Sequence, residues 1–253
     1  MIDLHSHILP ALDDGARDIV AAVDIARAAA ADGVRAIAAT PHVRDDFPTT
    51  PDEMRAALAD LRRAVADEGL AIDVLPGGEI ALPEAGALDE AALRAFGLAG
   101  NPDVLLVETP YYGWPLAFGD VIARLRRFGI TPVLAHPERN GDVQDDPSRL
   151  EPFVAGGMLV QVTAASLEGR LGRRALACAQ RLLELRLVHL VASDAHAPEV
   201  RAAGLSGARR RIGGAVGGWL MEEVPHAIVE QRRIPERPPA RRARGLFERR
   251  RGR

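Results

Sequence analysis

Met1-Ile2-Asp3-Leu4-His5-Ser6-His7-Ile8-Leu9-Pro10-Ala11-Leu12-Asp13-Asp14-Gly15-Ala16-Arg17-Asp18 opens the chain. A short apolar run ends in His-x-His. Strand residues i and i+2 point to the same face. His5 and His7 can therefore aim two imidazoles at one point, which is a metal-ligand arrangement. Asp13 and Asp14 follow on a tight loop, close enough to reach a second ion. A lone His-x-His carries little weight. It gains weight here because the rest of the chain repeatedly sets a His, Asp or Glu just after an apolar strand.

Strands alternate with helical segments throughout. The apolar runs predict strands at Ile2 to His7, Val34 to Ala39, Ala71 to Leu75, Val104 to Val107, Pro132 to Ala135, Met158 to Val162 and Leu187 to Ala192. Helices are predicted at about Ile19 to Ala31, Pro51 to Glu68, Asp89 to Phe96, Leu116 to Phe128, Pro147 to Ala155, Arg170 to Leu185 and Pro198 to Ile228. Pro51 suits a helix start, and Gly33 and Gly69 suit helix ends. Val43 to Thr50 reads as a polar loop. Alternating units of this kind predict a parallel α/β architecture. The strands are continuous apolar runs, so both of their faces should be covered. Seven units could close into a barrel or stay an open sheet. In barrels, active sites lie at the carboxyl ends of the strands. Six of the seven strands end in a potential ligand, while the sixth ends in Gln161-Val162-Thr163.

The candidates are His5, His7, Asp14, His42, Glu79, Glu108, His136, Asp194 and His196. His189 lies an odd number of residues before Asp194 and should face the other way; it reads as a core histidine, and His226 as a surface one. Four carboxylates crowded at one sheet edge would repel and raise each other's pKa values. Three divalent ions would supply +6 against the −4 of Asp14, Glu79, Glu108 and Asp194, and the remaining +2 suits a phosphate dianion. Nitrogen and oxygen donors without thiolate favour Zn, Mn or Fe over Ca.

The 253 residues suit one large α/β domain or two small ones. All 32 basic residues are Arg. From Arg232 to Arg253 ten Arg face Glu236 and Glu248, a charge of +8; the rest carries 22 basic and 33 acidic residues, or −11. The expectation is a body over residues 1–231 and an Arg-rich, disordered tail over 232–253, either solvated or drawn to an acidic surface or anionic lipid. The single cysteine, Cys178, excludes an intramolecular disulfide and fits a reducing cytoplasm. No signal-peptide pattern or membrane-length apolar run is visible. An acidic body speaks against a nucleic-acid partner.

His5-Ser6-His7, Thr40-Pro41-His42, Gly78-Glu79-Ile80, Glu108, Ala135-His136-Pro137-Glu138-Arg139 and Ser193-Asp194-Ala195-His196 resemble the motifs of the PHP (polymerase and histidinol phosphatase) superfamily. Met1 to Gly15, His136 to Arg139 and Gln161 to Leu167 are similar to its bacterial tyrosine-phosphatase branch, the CpsB/CapC/YwqE type. The resemblance spans about Met1 to Pro235. It implies a distorted seven-stranded (β/α)7 barrel with a trinuclear site of Mn, Fe, Zn or Co at the C-terminal ends of the strands. By that pattern His5, His7, Glu79 and Asp194 hold one ion. Glu79 bridges to a second, shared with Glu108 and His136, and Asp14, His42 and His196 hold the third. Val43 departs from the pattern where relatives often carry His or a basic residue, and His226 replaces a common Arg. The implied partner is a phosphotyrosine-bearing protein, a tyrosine autokinase of capsule or exopolysaccharide export.

The expected chemistry is phosphomonoester hydrolysis, in which bound cations lower the pKa of water and neutralise charge on phosphoryl oxygens. Catalytic roles fall to Arg139, Asp194 and His136. Arg139 sits on a mouth loop and its fork suits phosphate oxygens, although an ion pair with Glu138 would also explain it. Arg17 and Arg44 lie on mouth loops as further phosphate contacts. Cys178 lies within a predicted helix and has Glu184 where a cysteine phosphatase needs Arg, so it reads as structural. The alternatives are a small-molecule phosphatase of histidinol-phosphate type, a phosphodiesterase or nuclease, and a metal-binding regulatory module without turnover.

Overall fold

The structure is a computed structural model that describes residues 1–197 and 202–239. Its strands are β1 Ile2–Ser6, β2 Ala36–Ala39, β3 His42–Arg44, β4 Phe47–Pro48, β5 Asp73–Leu75, β6 Glu79–Ala81, β7 Val104–Glu108, β8 Thr131–Leu134, β9 Leu159–Thr163 and β10 Leu190–Ala192. A three-stranded sheet runs β1-β2-β5 and a curled seven-stranded sheet runs β10-β9-β8-β7-β6-β3-β4, with every pairing parallel except β3–β4.

The seven predicted strands are present, and two of them are followed by a further short strand that was not predicted. Thr40-Pro41 separates β2, at the predicted second strand, from β3, and Pro76-Gly77-Gly78 separates β5, at the predicted third, from β6. Proline has no N–H to give to a ladder, which interrupts the pairing at each point. Main-chain bonds carry the two sheets into one another: Thr40 N donates to Ser6 O at 2.8 Å and Glu79 N to Pro41 O at 3.0 Å. On the far side, Ser6 bridges Ala195 in parallel, and His7 N donates to Ala195 O at 2.8 Å. The segment read as a polar loop after His42 is instead the β3–β4 hairpin, with Arg44 opposite Phe47. Its residues carry no apolar alternation, so the pairing is set by the sheet beside it.

Helices cover the outside. Ile19–Ala31 starts on Asp18, whose side chain accepts from Ala21 N, and Pro51–Asp67 starts on a Thr50–Glu53 capping box. Ile25, Leu58 and Leu61 from these helices, with Leu93 of Glu90–Ala95, Phe118 and Leu125 of Phe118–Arg127 and Leu182 of Arg173–Glu184, share one core with Ile37, Ile80, Leu105, Val133 and Val160 of the strands, all nearly fully buried. Each such side chain contributes about 1.5–3 kcal/mol relative to exposure. Short helices at Leu82–Ala87, Gly141–Asp145 and Ala164–Glu168 are too brief for a periodicity to reveal. The predicted helix over Pro198 to Ile228 is several pieces among the described residues. Ser206–Ile212 ends at Gly213 and Gly214, both at positive φ, and the chain then continues through Gly214–Gly218, Trp219–Glu223 and Val224–Val229.

The first residues of the proposed tail lie against the body. Trp219 Nε1 donates to Pro235 O at 3.0 Å, and Arg237 donates to Val188 O and Leu183 O. Packing thus continues past the boundary drawn at 231 from charge alone. The rest of that tail, 240–253, lies outside the described residues.

Candidate metal centre

The candidates gather where β1, β7, β8 and β10 end and where β3 and β6 begin. His5 belongs to β1 and His7 follows it; His42 opens β3, Glu79 opens β6 and Glu108 closes β7. His136 follows β8, and Asp194 and His196 follow β10. His136 (φ 31°) and Asp194 (φ 53°) both adopt the left-handed region that non-glycine residues avoid. Strain of this kind persists where surrounding structure over-determines it, and here it turns both side chains inward. The loop bearing Asp13 and Asp14 folds back on β1, with Ala16 N donating to His7 O at 3.0 Å. A Cβ on Gly15 would lie 2.0 Å from His7 O, so only glycine allows this approach.

All nine predicted candidates come together, in four overlapping sets whose donor atoms lie within 4.8 Å of one another: His7, Asp14, His42 and His196; His5, Glu79 and His136; His5, His7 and Asp194; His42, Glu79 and Glu108. Glu79 is central. Its oxygens lie 2.8 Å from His136 Nε2, 3.0 Å from His42 Nδ1, 3.3 Å from His7 Nε2 and 3.4 Å from His5 Nε2. All but Asp14 are nearly fully buried.

Residues outside the nine fix the tautomers. Gln161 Oε1 accepts from the His136 backbone N–H at 3.2 Å, so it is an acceptor toward His5 Nδ1 at 3.0 Å as well. Asp13 accepts from His7 Nδ1 at 2.6 Å and from His42 N at 2.9 Å. The Asp194 carbonyl accepts from His196 Nδ1 at 2.9 Å. With Nδ1 carrying the hydrogen in each case, the Nε2 lone pairs of His5 and His7 face each other 3.3 Å apart. That convergence suits a cation, and such outer partners are the normal support of metal-bound histidines. The donor set therefore fits divalent transition ions held by nitrogen and oxygen.

The protonation field points the same way. Burial would raise the Glu79 carboxyl, yet His5 and His136 hold it well below the usual range. Asp194 is likewise held low against its burial by His5 and His7. His7 is raised well above its ordinary value because Asp13 outweighs the cost of burial. Glu108, buried and beside Glu79, is pushed up to about 8. His136 is pushed down to about 4 by burial. These are the shifts of the cluster without cations; a cation at the His5–His7 Nε2 pair would displace the proton that His7 otherwise keeps.

The three arginines are placed very differently. Arg139 Nη1 donates to Asp194 at 2.6 Å and its guanidinium lies 4.5 Å over the Tyr111 ring. The ion pair with Glu138 does not form: Glu138 is fully buried and accepts from Thr163 N at 2.8 Å and Ser166 Oγ at 2.7 Å. Arg44 bonds Asp46 and reaches Glu108 at 3.5 Å, at the edge of the cluster. Arg17 points into solvent and pairs with Asp18. His189 is away from the cluster, accepting from Val160 N, and His226 is exposed. Cys178 is buried against Val143 O, with its thiol pushed up to about 12 by burial. The sequence reading passed over Gln161 and Asp13 in choosing candidates and did not name Tyr111. The alternating pattern of β9 does place Gln161 on the inner face, which is the signal that could have found it.

Comparison with known proteins agrees with this geometry. Residues 1–228 match the family described as "Capsular polysaccharide synthesis, CpsB/CapC". The tyrosine-protein phosphatase YwqE of Bacillus subtilis is 38% identical over 202 residues, covering 79% of each chain. The putative tyrosine-protein phosphatase CapC of Staphylococcus aureus is 28% identical over 197 residues, 78% of this chain and 77% of that one. A solved structure reported among those of YwqE and of CpsB from Streptococcus pneumoniae, metal-dependent tyrosine phosphatases, superposes with a TM-score of 0.85 at 33% identity, covering 94% of this chain and 98% of that one. With the match running through the whole strand-end cluster, the chain belongs to the CpsB/CapC family.

Proposed function

We propose that this protein is a metal-dependent phosphomonoester hydrolase that removes phosphate from tyrosine in proteins, with a tyrosine autokinase of capsule or exopolysaccharide regulation as its partner. The observation that carries the reading is the convergence of nine histidine and carboxylate side chains on Glu79, with Nε2 lone pairs facing one another. The names of its relatives supply the substrate class.

In this reading His5, His7, Glu79 and Asp194 hold one cation, Glu79, Glu108 and His136 a second, and Asp14, His42 and His196 a third, each Mn, Fe, Zn or Co. Bound there, the cations provide a nucleophile from water near neutral pH and neutralise charge on the phosphoryl oxygens. Asp13 and Gln161 orient His7 and His5. Arg139 turns its fork from Asp194 toward the phosphate, Arg44 supports it from the β3 side, and Arg17 meets the substrate only outside the mouth. The ring of strands, joined at Ser6–Ala195, is read as the distorted (β/α)7 barrel of the PHP type. Residues 1–231 form the catalytic domain, 232–239 pack against it, and the Arg-rich extension that runs on to 253 touches anionic membrane at its periphery. No helix among the described residues is long and apolar enough to cross a membrane, and the cytoplasm is the compartment proposed.

The test is a phosphatase panel of phosphotyrosine peptide, phosphoserine peptide and histidinol phosphate, with elemental analysis of the same preparation. Preference for phosphotyrosine with bound transition metal is expected. Metal-free protein whose activity no Mn, Fe, Co or Zn restores would overturn the reading.

A further inference from the structure

Beside the metal cluster lies a cleft of about 380 Å³ lined by Arg44, Leu82, Pro83, Glu108, Pro110 and Tyr111, among others. Glu108, one of the nine converging residues, stands at the boundary between cleft and cluster, with Arg44 3.5 Å from its carboxylate. Leu82, Pro83, Pro110 and Tyr111 supply the apolar part of its lining, and Asp45, Asp46 and Glu84 add carboxylates to the charged part. The Tyr111 ring lies 6.0 Å from the His136 ring, and Arg139 lies over it. An aromatic side chain therefore belongs at once to the cluster and to the cleft.

Tyr111 is also held in place from behind. Asn140 Nδ2 donates to Pro110 O at 2.7 Å and to Gly113 O at 3.2 Å, and Gly141 N donates to Tyr111 O at 2.9 Å. Trp114 anchors the same loop by packing 4.4 Å from Phe118, centroid to centroid. A large aromatic surface that stays partly exposed on a loop fixed at three points is arranged to receive something. The occupant must carry a phosphate at the cluster and an apolar group one bond series away.

We propose that Tyr111 is the specificity residue that selects aryl over alkyl phosphates, with the phenyl ring of the substrate seated in the cleft between Tyr111–Pro110 and Leu82–Pro83. This rests on the phosphotyrosine reading and supplies its structural cause. A phenyl ring gains offset or edge contacts with Tyr111 and buries its faces on the two prolines, whereas a serine phosphate presents one methylene and leaves the cleft filled with water. Ring contacts of this type are worth about three- to tenfold in selectivity.

The experiment compares Tyr111→Ala, Tyr111→Phe and Tyr112→Ala with the parent protein. The readouts are kcat/KM for a phosphotyrosine peptide and for the same peptide with phosphoserine, and inhibition by inorganic phosphate, which reads the Arg139 environment without any ring. A binding measurement with a non-hydrolysable phosphonate peptide carrying a benzyl side chain removes the chemical step. Tyr111→Ala is expected to lower the phosphotyrosine-to-phosphoserine ratio about three- to tenfold and weaken the phosphonate peptide equally, through KM more than kcat. Tyr111→Phe, which keeps the ring, and Tyr112→Ala, whose side chain is 89% exposed, should keep the parent ratio. An unchanged ratio in Tyr111→Ala, or a loss matched by an equal loss of inorganic phosphate affinity, overturns the assignment while leaving the phosphatase reading standing. Parent protein that hydrolyses neither peptide with metal bound removes both.

Discussion

Glu79 and Glu138 are both fully buried, Glu79 at the start of β6 and Glu138 just after β8, yet they are stabilised in opposite ways. Glu79 stands among four histidines and is held ionised against its burial by His5 and His136. Glu138 takes its hydrogen bonds from neutral donors, Thr163 N and Ser166 Oγ, both on one oxygen, and burial raises its carboxyl. Held in this way, it is a structural bracket between β9 and the β8 loop. A buried carboxylate ringed by histidines, as Glu79 is, is what the proposed cation site requires. Residue type and burial do not separate the two; the partners do.

The sharpest break between them is expected on substitution. Glu79→Gln, His136→Ala or Asp194→Ala should lower kcat on a phosphotyrosine peptide by about a thousandfold or more, ~4 kcal/mol in the barrier. The packing of the apolar strands should survive, so the melting temperature in chelator should stay within a few degrees of the parent. Wild-type kcat from any of the three in metal-free buffer would remove them from the site. Glu138→Ala should do the reverse. It leaves Thr163 N and Ser166 Oγ without their acceptor, at about 1–3 kcal/mol of unfolding free energy, and metal content per folded protein should be unchanged. Denaturant unfolding with elemental analysis reads both halves.

Asp13 sharpens the comparison, being a carboxylate that serves the cation site without joining it. It accepts from His7 Nδ1 and His42 N, whereas Asp14, its neighbour, faces His196 and His42 from a half-exposed position. Asp13→Asn should weaken metal affinity about 10- to 100-fold, read by competition with a chelating dye, with a smaller effect on kcat at saturating metal. Cys178→Ser should change kcat less than about tenfold, under ~1.4 kcal/mol. Its thiol, pushed up to about 12 by burial, should resist alkylation at pH 8 in the native state and react after unfolding. Rapid native labelling with loss of activity would contradict the structural role.

The site was legible in the sequence to the extent that topology made it so. Consecutive parallel units bring every strand end to one edge, so a histidine or carboxylate just after an apolar run is already placed, as His42, Glu108 and His136 show. What stayed hidden depends on side-chain direction within a loop or on distant partners. Asp13 and Asp14 differ by one position and by nothing in composition. Gln161 matters because it meets His5 across 156 positions. Arg139 meets Asp194, which no local pattern could prefer over adjacent Glu138. The fold was legible as seven units, whereas the short strands β3 and β6 were not, because Pro41 and Pro76 just before them read as turn residues. The hairpin after His42 has no signal of its own and is imposed by the sheet edge it extends.

The smallest effect expected is that of the C-terminal extension, and it divides at Pro239. Residues 240–253 carry seven Arg and one Glu, a charge of +6, with Leu246 and Phe247 the only large apolar residues. All nine cluster residues precede Ala197, so deleting 240–253 should leave kcat on a small phosphotyrosine substrate unchanged. Deleting from Arg237 is a different experiment. It removes the guanidinium that donates to Val188 O and Leu183 O and lies 5.7 Å over Trp219, and it should lower the melting temperature while the shorter deletion does not. Lipid binding separates the roles further. Polybasic segments gain roughly 1 kcal/mol per Arg beside an anionic surface, and the attraction should fade as the Debye length falls to about 3 Å at 1 M salt. Co-sedimentation with anionic vesicles should therefore be lost on deleting 240–253 and at high salt. Equal, salt-insensitive sedimentation of both forms would remove the membrane role, and a large fall in kcat on deleting 240–253 would show that the extension packs against the site after all.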